Sequence, residues 1–244
     1  MKILFYLGII SFFIFGGCTK NKDAFIISPT EPLPPTEDVP VIGNLSYLAL
    51  GDSYTIGQSV EANQNFPNQL ANSLTSVDKF DVSVKIIAQT GWTTSDLKNA
   101  IKSATLAPKY DFVTLLIGVN NQYRGYNIDI YREEFVELLQ TSIKYAGGNV
   151  SRVFVLSIPD YSVTPFAGNN ANTNSQIAAE IDAYNQINKE EANNFKVNYL
   201  DITPISREAK TKSSLIASDG LHPSAEMYQK WVKLLSPQVS ASLK

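Results

Sequence analysis

The sequence contains one cysteine, Cys18, and one histidine, His222. A single cysteine excludes disulfides within the chain. Because Cys18 lies near the N-terminus, a cysteine nucleophile or a cysteine-based zinc site in the folded body is excluded as well. Any reaction that needs an imidazole base depends on His222. The sequence also lacks internal repeats, long charge runs, and the Gly-x-Gly-x-x-Gly and P-loop patterns.

The formal net charge of −3 over 244 residues is mildly acidic. This balance argues against nucleic acid or an anionic lipid surface as the main partner. With 44% hydrophobic residues, the chain is long enough for one sizeable core. We predict one folded domain, although the length also permits two small ones, and we expect a monomer.

A nearly unbroken apolar run extends from Ile3 to Phe15. A membrane-spanning helix needs roughly 17 or more apolar residues, so we predict that residues 1–17 are a secretory signal peptide and that the protein is exported. Phe15-Gly16-Gly17-Cys18 resembles a bacterial lipoprotein box, which more often has leucine in place of Phe15. That resemblance implies a lipid on Cys18 that anchors the protein in the bacterial cell envelope, its only expected membrane contact. A plain signal peptide cut nearby is the alternative.

Residues 18–44 form a polar, proline-rich stretch. Prolines remove backbone donors and favour extended conformations, so we predict a linker between the anchor and a domain at 45–244. If Cys18 carries no lipid, the stretch is instead a disordered leader without a tethering role.

The chain from residue 45 alternates apolar runs with amphipathic ones. The apolar runs predict strands at Tyr47–Leu50, Val84–Ala88, Phe112–Ile117, Val153–Ile158 and Val197–Leu200. Helical spacing predicts helices at Phe66–Leu74, Ser95–Ala104, Ile130–Tyr145 and Ile177–Ala192. Pro223 suits a first helical position, so a last helix should start at His222. The alternation predicts an α/β fold of three layers, α/β/α, around a central five-stranded parallel sheet.

Three polar or small residues follow successive predicted strands. Ser53 follows the first, Gly91 the second and Asn120 the third. Sites in such sheets form outside the carboxyl ends of the strands, so these residues should converge at one edge. A serine becomes nucleophilic when a base takes its proton, and that base is usually an imidazole oriented by a carboxylate. Ser53 is therefore the candidate nucleophile and His222 the candidate base, with Asp219 three residues before it.

Four short blocks resemble those of the SGNH, or GDSL, family of esterases and lipases. They are Gly51-Asp52-Ser53-Tyr54, Gln89-Thr90-Gly91, Gly118-Val119-Asn120-Asn121 and Asp219-Gly220-Leu221-His222. Each block alone is weak, but all four in the expected order are a strong signal. The sequence departs from the family pattern at three places. Tyr54 replaces the frequent leucine, Asn121 the usual aspartate, and Trp92 stands where an asparagine or second glycine is frequent.

The resemblance implies a flavodoxin-like fold and a serine esterase that uses no cofactor and no metal. Ser53 would attack the ester carbonyl, His222 would act first as base and then as acid, and Asp219 would hold the histidine tautomer. The backbone N–H groups of Ser53 and Gly91 and the side-chain amide of Asn120 would form the oxyanion hole.

Several residues beside these blocks are candidates for substrate binding, namely Tyr54, Trp92, Asn121 and Tyr123. For Asn121 we expect mainly support of its loop. Aromatic residues beside strands often belong to the core, so a core position remains the alternative for Tyr54, Trp92 and Tyr123. The ester also stays open: acetylated carbohydrate, lysophospholipid and acyl thioester all fit the sequence.

Two other functions compete with esterase activity. One is a catalytically inactive surface lipoprotein of the same fold that binds glycans through Trp92 and Tyr123. The other is a metal-dependent phosphoesterase built on Asp52, Asn120, Asp219 and His222, which would be poor in nitrogen ligands. The Gly-x-Ser-x-Gly elbow is absent around Ser53, which makes the common lipase fold a weaker alternative.

Overall fold

The structure is a computed structural model that describes residues 43–244. The predicted signal peptide at 1–17, the lipidation of Cys18 and nearly all of the predicted linker at 18–44 lie outside the described residues and stay predictions. Within the described range, no helix combines the length and apolarity needed to cross a membrane.

The core of the fold is a five-stranded sheet in which every neighbouring pair is parallel. Its strands are β1 (Gly43–Gly51), β2 (Phe80–Ala88), β3 (Phe112–Leu116), β4 (Val153–Leu156) and β5 (Asn198–Leu200). The order across the sheet is β2-β1-β3-β4-β5. This confirms the predicted parallel sheet. The chain leaves β1 on one side to form β2 and then crosses to the other side for β3, so a topological switch point lies between β1 and β3.

Helices cover both faces of the sheet. They are α1 (Ser53–Ile56), α2 (Phe66–Asp78), α3 (Thr94–Ser103), α4 (Val119–Tyr123), α5 (Ile128–Tyr145), α6 (Ala171–Asn194), α7 (Thr203–Arg207) and α8 (Ala225–Leu243). Helix α2 packs against α8, whereas α5 packs against α3 and α6. Strands β3 and β4 are buried along their whole length, as a sheet covered on two sides requires. Short 3₁₀ turns lie at Ala62–Gln64, Val150–Arg152, Tyr161–Val163, Pro165–Ala167, Glu208–Lys210 and Ser213–Leu215.

Strand β2 begins at Phe80, earlier than the predicted start at Val84. It is an edge strand, and its exposed residues Asp81, Ser83 and Lys85 alternate with partly buried apolar ones. Charged residues on an edge discourage pairing with a second chain. The same residues interrupt the apolar run, which is why the sequence predicted only the second half of the strand.

The last helix begins at Ala225, so the predicted start at His222 is wrong. Ser224 is the N-cap, and its hydroxyl accepts the backbone N–H of Met227 at 3.3 Å. Pro223 forms an antiparallel bridge with Ile216 instead of opening the helix. His222 therefore lies in a loop before α8, where the direction of its ring is not set by a helix.

Candidate active site

Ser53 is the first residue of α1 and follows β1 after a single residue, Asp52. The Asp52 carboxylate caps α1 by accepting the backbone N–H of Tyr54 at 3.0 Å. The helix ends after one turn, where the N–H of Gly57 donates to the Ser53 carbonyl at 3.1 Å. This sharp turn leaves Ser53 at the carboxyl edge of the sheet, beside the switch point.

Asp219 and His222 are in direct contact. Nδ1 of the His222 ring lies 2.6 Å from Oδ2 of Asp219. The other carboxylate oxygen, Oδ1, accepts the backbone N–H groups of Leu221 at 2.9 Å and His222 at 3.0 Å. Gly220 has a φ of +75°, a left-handed conformation that glycine adopts without steric cost, and this fold of the loop brings the carboxylate back to the ring.

The electrostatics of this loop favour an ionised Asp219. Partial burial works to raise the pKa of Asp219. Hydrogen bonds from the Ser59 hydroxyl and from the backbone and ring of His222 outweigh that effect and hold the pKa well below its ordinary value. A carboxylate that stays charged throughout the neutral range can fix the imidazole tautomer and stabilise the imidazolium that forms during acyl transfer.

Ser53, His222 and Asn120 line one cavity of about 130 Å³. Its walls are largely apolar, and the lining residues are Ser53, Tyr54, Thr90, Gly91, Val119, Asn120, Tyr123, Tyr161, Phe166, Leu221 and His222. Within residues 43–244 the Ser53 hydroxyl has no hydrogen-bond partner, and the ring of His222 has a hydrogen bond only with Asp219. Catalytic hydrogen bonds are often long before substrate arrives.

Donors for an oxyanion surround the same cavity. The Asn120 side-chain amide gives one N–H to the Trp92 carbonyl at 2.9 Å, which orients the group and leaves its second N–H available. Gly91 has a φ of +85°, and Arg124 donates to its carbonyl at 2.7 Å. In the described part of the chain, no residue accepts the backbone N–H of Gly91 or Ser53. These three residues line one cavity, and each has an N–H group without a partner in the described chain, which is the kind of donor that an oxyanion hole uses.

The structure brings two of the four candidate binding residues to the cavity. Tyr54 is buried, with its ring edge-on to His222 at a centroid distance of 5.7 Å, and Tyr123 lies at the rim. Trp92 does not line the cavity, and it contributes its carbonyl to Asn120. Asn121 is also absent from the lining. It is buried and forms two hydrogen bonds with Thr94, which join α4 to the start of α3.

Five residues of the cavity lining were not predicted as site residues: Thr90, Val119, Tyr161, Phe166 and Leu221. Tyr161 and Phe166 lie in the segment that follows β4, and the rule that sites form beyond strand carboxyl ends would have pointed to that segment. Ser59 was missed as well, although its hydroxyl contacts Asp219. No sequence signal identifies it, because Ser59 and Asp219 are far apart in the chain.

A second, larger groove of about 1140 Å³ is lined by residues that neighbour some of the cavity residues in sequence. It contains none of Ser53, Asn120 and His222, so its size does not make it the reactive site. A hydrogen bond from the Phe166 N–H to the Gly220 carbonyl, at 3.0 Å, joins two segments that each contribute residues to both spaces. Among the described residues, no group of three His, Cys, Asp or Glu side chains is arranged to hold a metal ion.

Asp52 is expected to make stability fall as the pH rises. Its carboxyl group is fully buried, and burial raises its pKa to about 7, against the opposing hydrogen bond from the Tyr54 N–H. The folded state therefore holds a proton that the unfolded chain releases near pH 3.8. This proton's contribution to the free energy of unfolding is complete below that pH and is lost between about pH 4 and pH 7. The contribution is at most about 4 kcal/mol.

Asp52→Asn should flatten this part of the pH dependence, because asparagine does not titrate. Urea unfolding at pH 5 and pH 8 measures how the free energy of unfolding changes with pH in both proteins. Because the two proteins share every other titrating group, a difference between them comes from Asp52. The slope is the readout rather than the absolute stability, since the amide changes the capping geometry. If the free energy of unfolding changed equally with pH in the two proteins, Asp52 would not hold a proton in the folded state.

Comparisons with known proteins identify the family and the fold of the chain. The family model of the GDSL-like Lipase/Acylhydrolase family matches residues 49–230. The lipase/acylhydrolase from Enterococcus faecalis is 20% identical with a TM-score of 0.64, over 82% of this chain and 97% of that one. The acetylxylan esterase Axe2 from Geobacillus stearothermophilus is 21% identical with a TM-score of 0.61, over 83% and 96%. TesA is 16% identical with a TM-score of 0.63, over 81% and 99%.

At such identities these solved structures show a shared fold and nothing more. Among curated proteins, no sequence matches the chain. The family model, by contrast, spans most of the chain, and its span includes Ser53, Gly91, Asn120, Asp219 and His222. The chain therefore belongs to the GDSL-like Lipase/Acylhydrolase family, a family of ester hydrolases.

Proposed function

We propose that this protein is a serine esterase that removes short acyl groups, acetyl above all, from carbohydrate alcohols. The observation that supports it best is the 2.6 Å contact between Asp219 and the His222 ring, with that ring on the same cavity as Ser53 and Asn120. A nucleophile, an oriented base and oxyanion donors are the parts that acyl transfer needs.

In the first half-reaction, the Ser53 oxygen attacks the ester carbonyl carbon while Nε2 of His222 takes the serine proton. The carbonyl π electrons move to its oxygen, and the resulting oxyanion accepts hydrogen bonds from the three donors. Collapse re-forms the carbonyl and breaks the bond to the alcohol oxygen, which takes the proton from His222. The alcohol leaves, and the acyl group stays on Ser53.

In the second half-reaction, water replaces the alcohol. His222 takes a proton from the water as it attacks the acyl carbon, and a second oxyanion forms in the same place. Its collapse breaks the bond to the Ser53 oxygen, which recovers its proton from His222. A carboxylic acid is released, and the protein returns to its starting state without a cofactor.

The size of the cavity supports a short acyl group. A buried cavity of about 150 Å³ holds benzene, so about 130 Å³ suits an acetyl group with room for a few more carbons. A long fatty acyl chain needs an extended apolar channel. This favours acetate esters over lysophospholipids and long-chain thioesters.

Two exposed aromatic rings in the cavity lining support a carbohydrate as the alcohol part. Tyr123 and Phe166 are 60% and 50% exposed, and both line the cavity that contains Ser53 and His222. Their centroids are 6.0 Å apart, and each lies 6.3 Å from the buried ring of Tyr161. Exposed rings of this kind offer flat apolar faces on which the C–H groups of a sugar can pack. The structural likeness to the acetylxylan esterase Axe2 is consistent with this choice.

The test is a panel of esters that differ in one feature at a time. For p-nitrophenyl esters we expect kcat/KM to fall at least tenfold from acetate to octanoate, because each methylene beyond the cavity gains no burial and costs steric strain. Acetylated xylo-oligosaccharide should be deacetylated, whereas lysophospholipid and acyl-CoA should react more slowly. Equal or faster hydrolysis of the octanoyl ester would refute the short-acyl proposal.

A matched pair of tyrosine variants tests the carbohydrate part. Tyr123→Ala should raise KM for acetylated xylo-oligosaccharide about fivefold, since stacking on one ring contributes about 1 kcal/mol. Its effect on p-nitrophenyl acetate should be smaller. Tyr126→Ala is the control, because Tyr126 is also exposed, at 45%, but does not line the cavity. Equal effects of the two substitutions would remove Tyr123 from sugar binding.

A further inference from the structure

Ser59 contacts the acid of the catalytic loop from a distant part of the chain. Its hydroxyl donates to Oδ2 of Asp219 at 2.6 Å. Oδ2 is also the oxygen that contacts Nδ1 of His222 at 2.6 Å. The backbone N–H groups of the loop bind only the other oxygen, Oδ1. Ser59 is thus the one donor beside the imidazole that fixes Oδ2 in the described structure.

The backbone of Ser59 is in a conformation that serine rarely adopts. Its φ is +67°, in a turn closed by a hydrogen bond from the Val60 N–H to the Gly57 carbonyl at 3.2 Å. The other non-glycine residues with positive φ in the described range, Lys79 and Lys196, lie one and two residues after the ends of long helices, where such a conformation is common. Glycine is the residue that a turn position with positive φ favours. A serine there accepts strain and keeps a hydroxyl aimed at Asp219.

The residue before Ser59 is tied to the other side of the cavity. Gln58 accepts a hydrogen bond from the Thr90 hydroxyl at 2.6 Å. Thr90 lines the cavity and precedes Gly91, one of the oxyanion donors. Two consecutive residues after the nucleophile helix therefore reach the acid on one side and the oxyanion loop on the other. The hydrogen bond between Thr90 and Gln58 holds the turn in a position from which the Ser59 hydroxyl can bond to Asp219.

We propose that Ser59 is a positioning residue for Asp219. Its hydrogen bond keeps Oδ2 pointed at Nδ1 of His222, which in turn keeps Nε2 of the ring towards Ser53. The kinetic part of the test rests on the proposed esterase function, whereas the spectroscopic part does not.

Ser59→Gly separates positioning from structure. Glycine removes the hydroxyl and suits the positive φ, so the melting temperature should stay equal or rise. We expect kcat for p-nitrophenyl acetate to fall about tenfold with KM unchanged, the size of one charge-assisted hydrogen bond partly replaced by water. An unchanged kcat in a stable Ser59→Gly protein would overturn the proposal.

Ser59→Thr is the rescue variant, with the opposite pattern. Threonine keeps the hydroxyl but tolerates positive φ poorly, so the melting temperature should fall while kcat per folded protein stays within about threefold of the parent. If instead kcat follows the melting temperature through both substitutions, Ser59 has only a structural role.

The single histidine permits a test without any substrate. Because His222 is the only imidazole in the chain, its ring nitrogens give an unambiguous ¹⁵N NMR signal. We expect the Nδ1–H tautomer to dominate in the parent protein and to lose population in Ser59→Gly. An identical tautomer ratio would overturn the proposal even if no ester were hydrolysed. Absence of hydrolysis with a shifted ratio would refute the esterase function and leave the positioning role intact.

Discussion

Ser53→Ala should lower ester turnover by roughly 10⁶ and leave the fold unchanged. The loss is large because the hydroxyl is the atom that forms the acyl bond, and His222 alone has nothing to activate except water. The fold should persist because the Ser53 hydroxyl has no hydrogen-bond partner within residues 43–244, and its backbone role at the start of α1 does not need the oxygen. Hydrolysis of p-nitrophenyl acetate measures the loss of turnover, and the thermal melting curve measures whether the fold is kept.

Covalent labelling gives an independent readout of the same prediction. A fluorophosphonate probe should label the parent protein once and should not label Ser53→Ala. Ser76→Ala is the matched control, because Ser76 is an exposed serine in α2, away from the cavity. Labelling that survives in Ser53→Ala would place the nucleophile elsewhere. A parent protein that neither reacts nor hydrolyses any ester of the panel, but binds acetylated xylo-oligosaccharide, would favour the inactive glycan-binding alternative.

The sheet was predictable because its central strands are short apolar runs that are buried on both sides. β3 and β4 are buried throughout, and the sequence predicted their starting residues, Phe112 and Val153. Prediction failed where the environment is mixed. The edge strand β2 carries exposed polar residues that conceal half of its length, and the start of α8 depends on the Ser224 cap and on a bridge to Pro223 that the sequence alone does not reveal.

The residues of the candidate site were predictable for a different reason. Ser53, Gly91 and Asn120 each follow a strand, and parallel strands place their carboxyl ends at one edge whatever the details of the loops. The Asp219–His222 contact is local, within one short loop. In contrast, the contacts of Ser59 and Phe166 depend on the paths of loops that approach from other parts of the chain. Such paths follow from tertiary packing, for which residue spacing gives no rule.

Asp219→Asn should lower ester turnover by roughly 10⁴ without unfolding the protein, because it replaces the carboxylate with an amide. Both hydrogen bonds at Oδ2 of Asp219, from the Ser59 hydroxyl and from the His222 ring, need an acceptor. An asparagine can keep Oδ1 as an acceptor for the backbone N–H groups of the loop, which leaves its NH₂ group facing Nδ1. Nδ1 must then become the acceptor, so the proton moves to Nε2. A ring protonated at Nε2 cannot take the proton of Ser53.

The tautomer argument distinguishes this loss from a structural one. The ¹⁵N signals of His222 in Asp219→Asn should show the Nε2–H tautomer, while the melting temperature stays close to that of the parent, because the two backbone hydrogen bonds at Oδ1 are kept. Asp129→Asn, at an exposed aspartate in the first turn of α5, controls for the lost charge and should keep full turnover. If Asp219→Asn retained turnover within tenfold of the parent, the carboxylate would have no part in the reaction, and Ser59 would have no catalytic group to position.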